Sequence, residues 1–285
     1  MESSFTAQRL TARFVAGTQL ADGLAVAKVL GARRIQIALD HLGENVSTVE
    51  EARAAGQAAF GSLQGLSELA IGGTIAVKLT QLGLDISVEE AITNLRPVVE
   101  LARRCGTRVE VDMESAAYTE RTLDILHRMH GEFGSVRAVI QAYLYRSEAD
   151  VRRLNAVGMP VRLCKGAYQE HPDVVMAGKD SVDKNFVRLM ELLLQEGIDP
   201  AIATHDPAIV DHALGFIEGQ GIGARGFEFE MLYGVRRDLQ QMLVDRGFRL
   251  RLYVPYGEAW YPYFLRRLAE RPANVWFVLR NLFRR

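Results

Sequence analysis

RAVIQAYLYRSEADVRRLNAVGMPVRLCKGAY, from Arg137 to Tyr168, holds one complete strand–helix–strand unit. Arg137 to Leu144 is a short apolar run of strand composition. Ser147-Glu-Ala-Asp150 then reads as a weak capping box, with Val151, Leu154 and Val157 following at helical spacing. Gly158 falls where that helix should stop, and Pro160 to Tyr168 is a second apolar run ending in Arg162, Lys165 and an aromatic. Strands joined through a helix in this way run parallel in one sheet.

The same rhythm extends in both directions. RRIQIALD (Arg33 to Asp40), TIAVKLTQ (Thr74 to Gln81) and RVEVDMES (Arg108 to Ser115) precede the unit. AIATHD (Ala201 to Asp206), GFEFEMLYG (Gly226 to Gly234) and RLRLYVPYGE (Arg249 to Glu258) follow it. Eight such runs predict an α/β fold, a (β/α)8 barrel closed on itself. Ser47-Thr-Val-Glu50 and Ser87-Val-Glu-Glu90 read as capping boxes, and Asp206-Pro207 as an N-cap followed by proline at N1. Gly197 and Gly221 fall at predicted helix stops. A helical segment, Leu20 to Leu30, precedes the first strand and is expected to cover the bottom of the barrel. The expected division is an N-terminal helical segment, 1–32, and a catalytic barrel, 33–285.

Composition narrows the function. With 48% hydrophobic residues in 285, the chain can bury a large core. A formal net charge of -1 gives no electrostatic case for nucleic acid. No apolar stretch approaches spanning length and no signal peptide opens the chain, so a cytoplasmic protein is expected. Arg284 and Arg285, after the apolar segment Val275 to Leu282, are the one feature bearing on a peripheral contact at the inner face of the plasma membrane. Cys105 and Cys164 lack ligand spacing, His205 has no HxH or HExxH partner, and no metal is expected.

In a (β/α)8 barrel the strand ends converge on one face. Lys78, Asp112, Gln141, Arg162, Lys165, His205, Glu230 and Tyr253 end their runs and should share one pocket, the arrangement of an enzyme. Arg162-Leu-Cys-Lys165-Gly166-Ala167-Tyr168 joins two cations, a small pair that lets the backbone approach a ligand, and an aromatic. That combination suits an anionic, planar, phosphorylated cofactor, although snorkelling cations at a buried strand end would look the same. Arg266 and Arg267, after the eighth run, could clamp a carboxylate, or lie on a solvated helix face with Glu270 as an i,i+4 partner. Lys78 lies in an apolar strand and needs a partner, for which Asp112 is placed; the alternative is a Schiff-base lysine in a flavin-free lyase or aldolase. Gly221-Ile-Gly-Ala-Arg-Gly226 matches the dinucleotide fingerprint but precedes a strand, where the fingerprint must follow one. It therefore reads as a helix-to-strand turn.

Together these segments resemble the proline dehydrogenase family. The resemblance rests on Leu39-Asp-His-Leu-Gly-Glu44, Val77-Lys-Leu79, Gln141-Ala-Tyr-Leu144, Arg162 to Tyr168, Thr204-His205, Leu232-Tyr-Gly234, Tyr253 to Glu258 and Arg266-Arg-Leu-Ala-Glu270. It implies a distorted barrel that binds FAD without a Rossmann domain and oxidises L-proline to 1-pyrroline-5-carboxylate, with electrons passing to a quinone. It further implies Met113, Gln141, Arg162, Lys165, Gly166, Ala167, Thr204 and His205 as FAD contacts, with Asp112 and Arg162 in catalysis. Lys78, Arg266 and Arg267 would clamp the proline carboxylate, Tyr253 and Leu232 would pack on its ring, Tyr168 would wall the pocket and Glu270 would close over it. The chain is too short to include a fused aldehyde dehydrogenase, which implies a separate 1-pyrroline-5-carboxylate dehydrogenase downstream. Gln169 stands where the family often has an aromatic, and the N-terminal region looks shortened. A flavin-holding module that no longer turns over is the remaining alternative.

Overall fold

A computed structural model describes residues 13–43 and 46–260 of the protein. Its strands are β1 (Gln36–His41), β2 (Gly73–Val77), β3 (Val109–Val111), β4 (Val136–Gln141), β5 (Val161–Cys164), β6 (Ala201–Ala203), β7 (Glu228–Leu232) and β8 (Leu250–Tyr256). They pair in sequence order, every pair parallel, and β8 closes on β1 with Ala38 opposite Tyr253. The α/β barrel expected from the eight runs is the fold.

The helices are α1 (Leu20–Ala32), α2 (Val49–Glu68), α3 (Val88–Arg104), α4 (Thr119–Phe133), α5 (Ser147–Ala156), α6 (Lys179–Glu196), α7 (Pro207–Gln220) and α8 (Arg237–Asp245), with a 3-10 turn at Ala116–Tyr118. Helix α1 does not cover the bottom of the barrel. It packs on the flank against β1 and β8, and a Cβ added at Gly23 would lie 2.8 Å from Leu39 and 3.5 Å from Tyr256. The physical reason is topological. Helices α2 to α8 each bridge two consecutive strands and leave the β8–β1 seam uncovered, and α1 buries its apolar residues there.

Cap chemistry follows the sequence with local shifts. Thr48, not Ser47, caps α2, accepting from the Glu51 N–H while the Glu51 carboxylate accepts from the Thr48 N–H. The box is moved one residue because Glu51 reaches both Ser47 and Thr48 backbones. Ser87 accepts from the Glu90 N–H at 3.0 Å, but the Glu90 side chain accepts from Asn94 instead of reaching back. Ser147 forms no box: its hydroxyl is buried and donates to the Gln141 and Leu144 carbonyls. Asp206 caps α7 as expected, and Gly221 ends that helix in the left-handed region at φ +68°, which makes the fingerprint-like segment a helix-to-strand turn.

Strand alternation places opposite chemistries on the two sides of the sheet. Outward-facing Ile37, Ile75, Val109, Val136, Leu163, Phe229 and Leu252 are buried against the helices. The inward side, which most such barrels fill with branched apolar residues, here holds Glu110, Arg137, Arg162, Glu228, Glu230 and Arg251, each at most 5% exposed. Arg137 donates to Glu110 and Glu228 and, at the lower rim, to the Asp199 carbonyl at 3.1 Å. Arg251 holds Glu228 by two bonds of 2.8 and 3.2 Å and donates to the Ile37 carbonyl at 2.9 Å. Burial would push the Glu228 carboxyl up, but Arg251 and Arg137 outweigh it and hold it well below the usual range.

A buried ion network resists loss of one member more than loss of a matched pair. Arg137→Met is expected to destabilise the protein by about 3–5 kcal/mol, read as a lowered urea midpoint. Adding Glu228→Gln to it should recover part of that loss, because the uncompensated carboxylate is removed. Equal destabilisation by the single and double variants would show that the network is not the source.

Candidate active site

The barrel's C-terminal mouth gathers the residues whose chemistry the strands end on. Lys78 follows β2 directly, and Asp112 follows β3, its N–H bonded to the Val77 carbonyl at 2.9 Å. Asp112 is the hub of the site. Arg162 on β5 donates to its Oδ1, the Tyr253 hydroxyl on β8 donates to its Oδ2 at 2.7 Å, and the Lys78 ammonium stands 3.5 Å from Oδ2. The Arg162 guanidinium also lies over the Tyr253 ring, 5.3 Å from its centroid. Burial pushes the Asp112 carboxyl up, and Arg162 and Lys78 more than reverse this, so it is held below its ordinary value as a carboxylate. Burial and Asp112 raise Tyr253 well above the ordinary phenol, so it keeps its proton and donates.

Lys78 is only 9% exposed and sits between Asp112 and Asp40, whose Oδ1 is 3.6 Å away. Burial alone would lower the ammonium pKa, but Asp40 and Asp112 raise it instead. A Schiff-base lysine must present a neutral amine, so this environment works against the lyase reading. Asp40 carries no role in the sequence reading. It is 1% exposed, neither oxygen has a hydrogen-bond partner, and burial raises its pKa against the pull of Lys78. Its signal was present in the sequence: it is the charged last residue of an apolar run.

On the β5 to β7 side the surface opens. Cys164, Lys165, Gly166, His205 and Leu232 are half-buried, and Ala167 and Tyr168 are exposed. Lys165 is paired with Asp183 and, at 3.1 Å, with Asp206. Gly166 has φ +106°, and a Cβ there would lie 2.3 Å from the Tyr143 ring. His205 Nε2 accepts the Leu232 N–H at 2.8 Å, tying the end of β6 to β7, and the Thr204 hydroxyl accepts the Asp206 N–H at 3.1 Å. Leu232 packs with Ala38, Ala76 and Tyr253 into a small apolar floor beside Asp112. Gln141 and Met113 are buried, at 2% and 5% exposure: the Gln141 amide donates to the Glu114 carbonyl at 2.8 Å and Met113 belongs to the main core. Arg266, Arg267 and Glu270, like Glu44 and the C-terminal apolar segment, lie outside the described residues.

A cavity of about 330 Å3 at the opposite face is lined by Arg108, Arg249 and Arg251 among others. Asp199 and Glu228 already engage these guanidiniums, which makes the cavity part of the barrel's floor. Glu110, Glu228 and Glu230 come within 4.8 Å of one another, and each is paired with an arginine.

Comparison with known proteins agrees with this fold. The family model for proline dehydrogenase matches residues 24–280. The chain belongs to the proline dehydrogenase family. It is 38% identical over 273 residues to proline dehydrogenase 1 of Bacillus subtilis, covering 96% of this chain and 90% of that one. It is 36% identical over 280 residues to the proline dehydrogenase of Deinococcus radiodurans, again covering 96% and 90%. Among solved structures, proline utilization A of Bdellovibrio bacteriovorus, inactivated by N-propargylglycine, superposes with a TM-score of 0.86 at 27% identity. That match covers 92% of this chain and 32% of the longer one. Membership makes the protein an oxidoreductase, and no helix among the described residues is long and apolar enough to cross a membrane.

Lys78 links two buried carboxylates, and its loss leaves Asp40 without a cation. Lys78→Met should cost about 3 kcal/mol or more of stability, and Lys78→Met with Asp40→Asn should regain most of it. Chemical denaturation of the two variants beside the parent checks this. A double variant no more stable than the single would assign the loss to packing.

Proposed function

We propose that the protein is an FAD-dependent L-proline dehydrogenase that forms 1-pyrroline-5-carboxylate in the cytoplasm. The observation that carries this reading is the fixed cluster of Asp112, Arg162, Lys78 and Tyr253 at the barrel mouth, in a chain of the proline dehydrogenase family. The catalytic unit is the barrel, 33–285, preceded by an N-terminal helical segment, 1–32.

The residues on the open side fit a flavin nucleotide. Gly166, at φ +106°, lets the chain turn after β5 against the Tyr143 ring, which a side chain there would strike, and so sets the backbone of the loop that carries Lys165 and Ala167. Arg162 and Lys165 supply cations, half-buried Cys164, Ala203 and Leu232 leave a surface for a flat ring, and Gln141, Thr204 and His205 complete the proposed contacts, with Met113 beneath. FAD, when bound, supplies the hydride acceptor. Every other task falls to the chain.

Lys78, Arg266 and Arg267 together clamp the substrate carboxylate. A cyclic amino acid held at its carboxylate has its ring carbons directed by geometry, which is the positioning contribution to rate. Leu232 and the Tyr253 face pack on the ring and exclude water, Tyr168 forms a wall, and Glu270 closes the site. Arg162, locked by its carboxylates, holds positive charge beside the edge where negative charge develops. Electrons then go to a quinone, the product goes to a separate dehydrogenase, and the protein works with peripheral access to the membrane that holds the quinone.

The test is the visible spectrum of the purified full chain before and after L-proline without oxygen. Flavin bands that bleach are the expected result. Bands that persist would favour a flavin-holding module, and no bands even after added FAD would overturn the reading. Arg162→Met should lower the rate of bleaching by about 100-fold or more.

A further inference from the structure

Arg162 serves three carboxylates with one guanidinium. Nη1 donates to Glu230 Oε1 at 2.7 Å and to Glu110 Oε2 at 3.0 Å, while Nη2 donates to Asp112. The three acids are not equally supplied. Asp112 also has Tyr253 and Lys78, and Glu110 also has Arg137 at 3.3 Å, Arg251 at 3.6 Å and the Thr74 hydroxyl at 2.9 Å. Glu230 has Arg162 as its ion-pair partner, and its Oε2 is buried with no hydrogen-bond partner.

The surroundings offer Glu230 little more. Glu228 shares its strand, Arg251 and Tyr253 lie on β8, Glu110 on β3 with Asp112 just after it, Arg137 on β4, and Arg162 with Cys164 on β5. Strand β6 contributes only Ala201–Ala203, which carry no charge. Glu110 and Glu230 share Arg162 Nη1 out of water and repel each other, and Arg137, Arg251 and the Thr74 hydroxyl serve Glu110 and not Glu230. The proton settles on the acid with fewer partners.

We propose that Glu230 is a positioning residue that stands beneath Arg162 as a neutral acid, so that the guanidinium charge acts on Asp112 and on what binds above it. This rests on the role of Arg162 stated under the proposed function. Ionisation of Glu230 would add a third full negative charge to Arg162 and weaken its field at the mouth. Burial is the main cause that pushes this carboxyl up, to about 8, with Glu110 adding to it and Arg162 opposing.

The sign of the pH effect follows. A carboxyl raised from 4.5 to about 8 on folding binds a proton that the unfolded chain has released, so its contribution is lost as pH rises across that window. Glu230→Gln reproduces the neutral form. Thermal midpoints of the full chain without flavin, followed from about pH 5 to about pH 9, should fall more steeply in the parent than in Glu230→Gln. The comparison cancels Asp40 and Glu114, which are also raised but are common to both proteins.

In the flavin-loaded protein, the ratio of parent to variant rates of anaerobic reduction by L-proline should fall about tenfold from about pH 7 to about pH 9. The flavin midpoint potential should drop more steeply with pH in the parent over the same range. Parallel stability profiles, or a Glu230→Gln variant that fails to fold, would overturn the neutral acid. Divergent stability profiles with identical potentials and rates would overturn its action on Arg162. A chain that takes up no flavin would sink the proposed function, while the flavin-free comparison would still decide the state of Glu230.

Discussion

Placing arginines inside a closed barrel constrains everything above them. A guanidinium cannot be left unpaired out of water, so Arg137, Arg162 and Arg251 each require carboxylates from other strands. Those carboxylates, Glu110, Glu228 and Glu230, lie on β3 and β7, across the barrel from one another. The network therefore fixes the mutual placement of β3, β4, β5, β7 and β8 by charge as well as by the backbone ladder. Its uppermost bond, Arg162 to Asp112, belongs to the mouth. The site is an extension of the core, and its geometry is set before any ligand arrives.

The loop after β5 is anchored in a comparable way. The Met176 N–H donates to the Tyr143 carbonyl at 2.8 Å, and the Tyr143 N–H donates to the Lys165 carbonyl at 2.9 Å. Leu144 and Val175 form an antiparallel bridge, and the Glu170 carboxylate accepts from the Ala116 N–H at 2.7 Å. A segment without helix or strand is thus tied to both β4 and the turn after β3. Tyr168, 38% exposed, stands on a held loop. On the proposed function this spares binding a cost, because ordering a loose loop around a ligand loses entropy.

How far the sequence could be read depends on the range of the interactions involved. Strand order, closure and the residues ending each run were legible because a period of two and the strand–helix rhythm are local signals. Lys78 with Asp112 was legible because a lysine among valines and leucines announces a need. The alternation Glu110-Val-Asp112, Glu228-Phe-Glu230 and Arg249-Leu-Arg251-Leu-Tyr253 also announced a charged interior, but not who pairs with whom. Partners 91 residues apart, such as Arg137 and Glu228, are set by barrel closure and shear. Asp40 escaped for the same reason: its neighbours come from β2, β3 and β8. The placement of α1 on the β8–β1 seam likewise depends on which seam the later helices leave bare. The capping shifts are smaller, since a glutamate that can reach two N–H groups chooses by backbone geometry at the single-residue scale.

Arg162 contacts Asp112 at the mouth and Glu110 in the interior through different nitrogens of one group. Removing it changes the field at the reacting edge and also strands buried carboxylates. Loss of rate and loss of stability must then travel together for Arg162, and for Lys78 between Asp40 and Asp112. They need not do so for Leu232, whose side chain packs on the apolar floor and carries no charge. On the proposed function, a side chain that packs on the substrate ring can alter specificity alone, whereas one that carries charge into the core cannot. The barrel thus divides its mouth into groups free to vary with the substrate and groups held by the same ion pairs that hold the fold.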